Sequence, residues 1–237
     1  MITSLAVDLF SHDIINNKVD FNIFNESDDL TFIECTKEEL KENIKDYVIT
    51  YKDISMYEFQ ILAPLYKGEN GIDDLNNYVQ QILNKKEIKK EELVYQNVTY
   101  REEDKVLHLV NNIENNVFNG DIGEIIKITK GKTKEIYIDF DNNLVKYTPS
   151  NFENFKLGYT ISIHKAQGSE FSIVILPIVS NYNVMLYKKL IYTAVTRAKQ
   201  RLIIIGEKNA LIKAIETNRE DYRKTSLKKF LIDSITF

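Results

Sequence analysis

Two apolar runs, Ser172–Val179 (SIVILPIV) and Arg201–Gly206 (RLIIIG), constrain this chain more than any other feature. Each is short, unbroken and rich in β-branched residues, the pattern of a strand covered on both faces. Between them, Met185–Lys199 carries Leu186, Leu190, Ile191, Ala194, Val195 and Ala198 at helical spacing. The stretch therefore predicts strand, helix, strand, and Asn209–Thr217 a further helix. The same order recurs upstream. Leu30–Glu34 reads as a strand, and Thr36 as the cap of a helix reaching about Tyr47. Phe59–Leu65 (FQILAPL) reads as a buried strand, and Ile72, Leu75, Val79 and Leu83 form one face of a second helix. Alternation of this kind predicts an α/β fold with a parallel sheet.

The middle of the chain breaks the alternation. Val94–Tyr100, Lys105–Val110, Glu124–Thr129, Glu135–Phe140 and Leu144–Thr148 are β-rich runs with no helix between them. Asn119-Gly120, Lys130-Gly131-Lys132 and Asp141-Asn142-Asn143 supply turns at short spacing. Five short strands predict a small barrel or curled sheet over 96–154, inserted in an α/β domain formed by 1–95 and 155–237. Gly158–Ile163 is then the strand with which the α/β pattern resumes.

Composition sets outer limits. With 43% apolar and 28% charged residues among 237, and only 3 Pro and 8 Gly, the chain is globular rather than disordered or collagenous. No apolar stretch approaches the ~18–20 residues of a membrane span. Met1–Phe10 holds Asp8 and lacks the order of a signal peptide, and the single Cys35 suits a reducing compartment, so a cytoplasmic location without membrane partners is expected. His12, His108 and His164 stand too far apart for a metal set, and no metal site is predicted. The net charge of 31 − 35 = −4 conceals an asymmetry, because Met185–Leu231 holds 12 Lys+Arg against 4 Asp+Glu. Such a tail reads either as a polyanion-binding face or as a solvated helical surface.

Three segments carry candidate chemistry. Tyr66-Lys67-Gly68 follows the Phe59–Leu65 strand, and offers a ring for a base and a cation for a phosphate, the parts of a sequence-tolerant strand site. An ordinary β–α loop fits it equally. Thr160–Phe171 (TISIHKAQGSEF) places Gln167-Gly168-Ser169-Glu170 after one buried strand, where open sheets bind ligands. Glu170 is able to accept from a ribose hydroxyl, or simply to cap the next element. Tyr192–Lys199 (YTAVTRAK) ends the Met185–Lys199 helix, with Lys189, Thr193 and Arg197 sharing its polar face. An arginine so held suits the γ-phosphate of a nucleotide, because its planar fork stabilises charge on the transferring group. Taken alone, such an arginine is far more often a surface salt-bridge residue.

In this order the segments APLYKG, HKAQGSEF and YTAVTRAK resemble motifs IV, V and VI of superfamily 1 DNA helicases, most closely the RecD/TraA family. Val117–Gly123 (VFNGDIG) resembles the opening of the SH3-like barrel which that family inserts in its second RecA-like domain. The resemblance implies a RecA-like parallel sheet with helices on both faces and the C-terminal motor domain of an ATP-dependent 5′→3′ helicase. It implies Arg197 as the catalytic arginine finger; Gln167, Gly168 and Glu170, with Arg197, at ATP; and Tyr66, Lys67, Thr160, His164 and Ser169 at single-stranded DNA. No GxxxxGK[ST] loop occurs in the sequence. In the family that loop and the Mg²⁺-holding carboxylates belong to the preceding RecA-like domain, so this chain alone is expected not to turn over ATP. Expected partners are single-stranded DNA, that first motor domain, and subunits of a DNA repair and recombination complex. A non-catalytic nucleic-acid-binding subunit, and the helicase-like half of a conjugative relaxase, remain the competing readings.

Overall fold

A computed structural model describes residues 4–18, 20–131 and 133–218. Helix α1 (Leu5–Ile15) leads through a 3₁₀ turn to β1 (Leu30–Glu34), α2 (Leu40–Thr50), β2 (Phe59–Ala63) and α3 (Ile72–Leu83). There follow β3 (Glu92–Tyr95), β4 (Val98–Arg101), β5 (Lys105–His108), β6 (Ile122–Lys130), β7 (Lys134–Asp139), β8 (Leu144–Tyr147) and β9 (Phe155–Leu157). The chain ends in β10 (Thr160–Ser162), β11 (Phe171–Ile178), α4 (Lys188–Val195), β12 (Ala198–Gly206) and α5 (Lys208–Glu216).

The α/β part is a five-stranded, all-parallel sheet in the order β1-β12-β11-β2-β10. Its central strands are the apolar runs of the sequence: β2 is buried throughout, and in β12 Leu202–Gly206 are buried. Helices cover it in two groups, α2 with α3, and α1 and α5 with α4. Thr36 does not cap α2, which starts at Leu40 with Glu39 at its N-cap and no side-chain cap; Glu39 instead accepts from both the backbone N–H and the hydroxyl of Thr36 and closes the turn that precedes the helix.

The second sheet is antiparallel, in the order β8-β7-β6-β5-β9, and shares no strand pairing with the first among the described residues. It curls around an aromatic centre in which Tyr147 and Phe155 lie 4.9 Å apart edge to face and Tyr100 meets Phe155 at 5.2 Å. Its membership differs from the sequence reading in two places. Val94–Tyr100 is not one strand but the tip of the separate β3–β4 hairpin, turned at Gln96 (φ 48°) and Asn97 (φ 65°). Two successive left-handed residues give the turn whose twist matches a hairpin. Gly158–Ile163 holds the expected strand as the shorter β10, which joins β2, while β9 just before it pairs with β5 and adds a strand to the antiparallel sheet.

A third difference concerns Met185–Lys199. The predicted helix is a 3₁₀ segment (Ser180–Met185), then α4, which stops at Val195. Ala198 already pairs with Phe171 of β11. The sheet claims this segment because β12 lies between β1 and β11 and its backbone is bonded on both sides.

Consecutive buried charges join the two sheets. Asp104 is fully buried and accepts from Arg101 N (2.7 Å), Gln80 Nε2 (2.6 Å), Asn84 Nδ2 (2.7 Å) and Tyr159 Oη (2.9 Å). Lys105 Nζ donates to Met56 O (2.6 Å), Phe59 O (2.9 Å) and Gln60 Oε1 (2.9 Å), at the start of β2. Burial pulls the Lys105 amine down to about 7. The unfolded chain then binds one more proton than the folded one between about pH 7 and 10, so stability should rise with pH across that window, by up to ~1.4 kcal/mol per unit. Urea denaturation at pH 7, 8 and 9 is expected to show the rise, and Lys105→Met to flatten it. A wild-type stability that falls over that range would contradict the assignment.

Candidate functional site

The residues singled out by sequence lie on opposite edges of the parallel sheet. At the N-terminal edge, β11 and β12 begin side by side, and Phe171 N donates to Arg197 O (2.9 Å). Arg197 therefore sits in the turn between α4 and β12, not on a helix as the sequence predicts. Its guanidinium folds back, with Nε donating to Thr193 O, Nη1 to Ser169 O and Nη2 to Thr196 Oγ1, each at 3.1 Å. Beside it, Lys199 Nζ meets Glu170 Oε2 at 2.8 Å. That hydrogen bond and charge, with Arg197 adding, hold the exposed Glu170 carboxyl below its usual range. Gly168 has φ +89°, which favours glycine, and no atom lies within 4 Å of where a side chain would start. Gln167 is exposed on the same loop. This edge brings together a guanidinium, a carboxylate and open backbone between them.

Ser169, expected at DNA, belongs to this edge, since its carbonyl holds Arg197. The loop 163–170 explains how. It leaves the C-terminal end of β10, level with Ala63, and reaches the N-terminal start of β11. With Ile61 opposite Ile175, that crossing is about six residues of strand, ~20 Å.

At the C-terminal edge, β2 runs into the loop Pro64–Gly71. Tyr66 Oη donates to Ser162 Oγ of β10 (3.3 Å), and Lys156 Nζ of β9 stands 5.5 Å from the centre of the Tyr66 ring. These residues, with Lys67, Tyr95 and Asn97, line a groove of about 560 Å³ between the two sheets. The loop is fixed by Ile72 N donating to Leu65 O (2.8 Å) and Tyr182 Oη to Asn70 O (2.7 Å). A side chain on Gly71 would strike Tyr66 O at 2.8 Å, so the turn that presents Tyr66 requires that glycine.

Thr160 is part of the groove's floor, but its side chain is fully buried and its Oγ1 has no hydrogen-bond partner; Asn76 brackets its backbone on both sides. A role for its hydroxyl on an exposed strand path is not what this burial offers. His164 is exposed just beyond β10. The next residue, Lys165, reaches Asn119 Oδ1 (2.6 Å), so the 163–170 loop touches the turn that opens the antiparallel sheet. Sequence reasoning missed Lys156, which gains meaning only from Tyr66, distant in the chain, and gave no role to Thr196 and Lys199 although both lie in the YTAVTRAK segment.

Other expectations fare differently. In the Lys130-Gly131-Lys132 turn, Lys130 is paired with Glu91 (2.6 Å), and Lys132 lies outside the described residues. Of the twelve cations of Met185–Leu231, the five in 219–231 also lie outside them. Among the described residues no group of three or more His, Cys, Asp or Glu could hold a metal ion, and no helix is long and apolar enough to cross a membrane.

Comparison with known proteins bears on these edges. Residues 75–140 match the ATP-dependent RecD-like DNA helicase SH3 domain, and residues 157–205 the UvrD-like helicase C-terminal domain. The ATP-dependent RecD2 DNA helicase of Deinococcus radiodurans is 34% identical over 172 residues, covering 71% of this chain and 22% of that protein. The RecBCD enzyme subunit RecD of Buchnera aphidicola subsp. Schizaphis graminum is 29% identical over 180 residues, 75% of this chain and 29% of that one. The chain thus spans less than a third of the length of these relatives. Among solved structures, the Pif1 helicase from Bacteroides in complex with ADP-AlF3 and ssDNA superposes with a TM-score of 0.54 at 15% identity, over 99% of this chain and 55% of that one. The Pif1 helicase from Candida albicans gives 0.53 at 11%, over 98% and 58%. Identities this low speak to fold alone.

Proposed function

We propose, for a chain that belongs to the C-terminal region of the RecD-like superfamily 1 helicases, that it is the second motor domain of an ATP-dependent 5′→3′ DNA helicase. One observation carries the reading: the nucleotide-type residues and the strand-type residues occupy opposite edges of one sheet, linked by the single loop 163–170. In this reading 1–95 and 155–237 form the motor lobe and 96–154 the inserted barrel, with Phe155–Leu157 completing the barrel's sheet. ATP, with Mg²⁺ held by a phosphate-loop domain, lies against the N-terminal edge and supplies the phosphoryl group whose hydrolysis drives movement. Arg197 turns its fork toward the γ-phosphate charge, Glu170 accepts a ribose hydroxyl, and Gln167 and Gly168 line the approach. At the groove, Lys67 and Lys156 meet backbone phosphates, Tyr66 stacks on a base, and His164 borders the strand path. Location in the cytoplasm, and assembly with recombination subunits as the RecBCD names of relatives suggest, complete the proposal.

The groove is tested on this chain alone, by fluorescence anisotropy with a labelled oligothymidylate at several salt concentrations. Tyr66→Ala and the pair Lys67→Ala/Lys156→Ala should each weaken binding about tenfold, since a stacked base contributes ~1–3 kcal/mol. The lysine pair should also flatten the salt dependence. Groove variants that bind like the parent chain would refute this assignment.

A further inference from the structure

The turn that carries Arg197 contains a closed ring of hydrogen bonds. Thr196 Oγ1 accepts from Arg197 Nη2 and itself donates to Thr193 O, while Arg197 Nε donates to that same carbonyl, all at 3.1 Å. A third bond, Arg197 Nη1 to Ser169 O, ties the fork to the loop from β10. Three bonds to Nε, Nη1 and Nη2 fix the guanidinium plane, and Arg has five N–H donors, so two remain for a ligand. Thr196 is the only side chain in that set; the other acceptors are backbone carbonyls fixed by the fold. It is also the cap of α4, its N–H bonded to Tyr192 O and Ala194 O, so its hydroxyl has little freedom to move.

We propose that Thr196 is a positioning residue: its hydroxyl, donor to one carbonyl and acceptor from Arg197, sets the plane in which the fork meets nucleotide phosphate. This rests on the reading of Arg197 as the arginine finger. Valine matches threonine in shape but lacks the oxygen, and would leave Arg197 Nη2 to find water or swing free. Serine keeps the oxygen.

Two measurements test it. In the polypeptide uniting this chain with a phosphate-loop motor domain, Thr196→Val should lower kcat about ten- to hundredfold, the cost of a misaligned catalytic group, with KM for ATP little changed. Thr196→Ser should retain most of the activity. In the present chain, the Arg197 Nη2 resonances in ¹⁵N spectra should show hindered rotation in the parent and in Thr196→Ser and free rotation in Thr196→Val, while Nε–Hε, bonded to Thr193 O, stays ordered in all three. That second readout holds even if Thr196→Val joins poorly to its partner domain. If Arg197→Ala abolishes turnover while Thr196→Val stays within about twofold, the positioning role is wrong and the finger stands. If Arg197→Ala is itself harmless, both fall. A drop in kcat for Thr196→Val that Thr196→Ser shares equally would also overturn it, because packing rather than the hydroxyl would then be responsible.

Discussion

Replacing Arg197 by alanine should remove most ATP turnover from a polypeptide that unites this chain with a phosphate-loop domain, by a factor on the order of 10³–10⁵. The cause is the loss of a planar cation from the N-terminal edge, where Arg197 stands beside Gly168 and Glu170. Single-stranded DNA affinity should stay nearly constant, since Tyr66, Lys67 and Lys156 line the opposite edge of the sheet. Arg197→Lys should rescue poorly: an ammonium bonds as a point and cannot reproduce a fork held by Thr193, Ser169 and Thr196. Turnover and strand affinity measured side by side decide the matter. Hydrolysis within about twofold of the parent would make Arg197 an ordinary turn residue.

The second large effect concerns stability. Asp104→Ala should cost ~3–5 kcal/mol, because several buried neutral donors lose an acceptor together and each one left unsatisfied costs ~1–3 kcal/mol. Gln80, Asn84, Arg101 and Tyr159 would each lose one bond at once, Gln80 Nε2 and Asn84 Nδ2 keeping only Thr99 O and Glu102 O, and all four residues are buried away from solvent. Those residues come from α3, β4 and the segment before β10, so the loss also loosens the seat of the antiparallel sheet on the parallel one. Against a typical total of ~5–15 kcal/mol this is a large fraction. Urea denaturation measures it, and a change under ~1 kcal/mol would show that the carboxylate is not the hub.

What the sequence reveals here depends on the range of the interaction. Helix α3 is legible because Ile72, Leu75 and Val79 form a face that the fold buries. The apolar runs that become β2, β11 and β12 are legible because a strand covered on both faces leaves no polar alternation. The β3–β4 turn is not: glutamine seldom adopts a positive φ, and Gln96 does so only because the hairpin pairs around it. The end of α4 is also hidden, since helical spacing continues through Ala198 while the sheet takes that residue as a strand. At the candidate site, local motifs single out Arg197 and Glu170 but not what holds them. Ser169 lies 28 residues from Arg197, Lys199 and Glu170 are paired across the same two strands, and Tyr66 finds Ser162 across 96 residues. Sequence adjacency likewise hides the division of the HKAQGSEF segment, whose first half lies by the groove and whose second half lies at the N-terminal edge of the sheet.

The most direct test of a motor domain with nucleotide on one edge and strand on the other is ATP turnover with and without oligothymidylate, for this chain alone and for the polypeptide that adds a phosphate-loop domain. The account predicts no turnover by the chain alone, whose sequence has no GxxxxGK[ST] loop, and turnover by the united polypeptide that single-stranded DNA raises severalfold. Turnover by the isolated chain after contaminants are excluded, or turnover in the united polypeptide that DNA leaves unchanged, would contradict it.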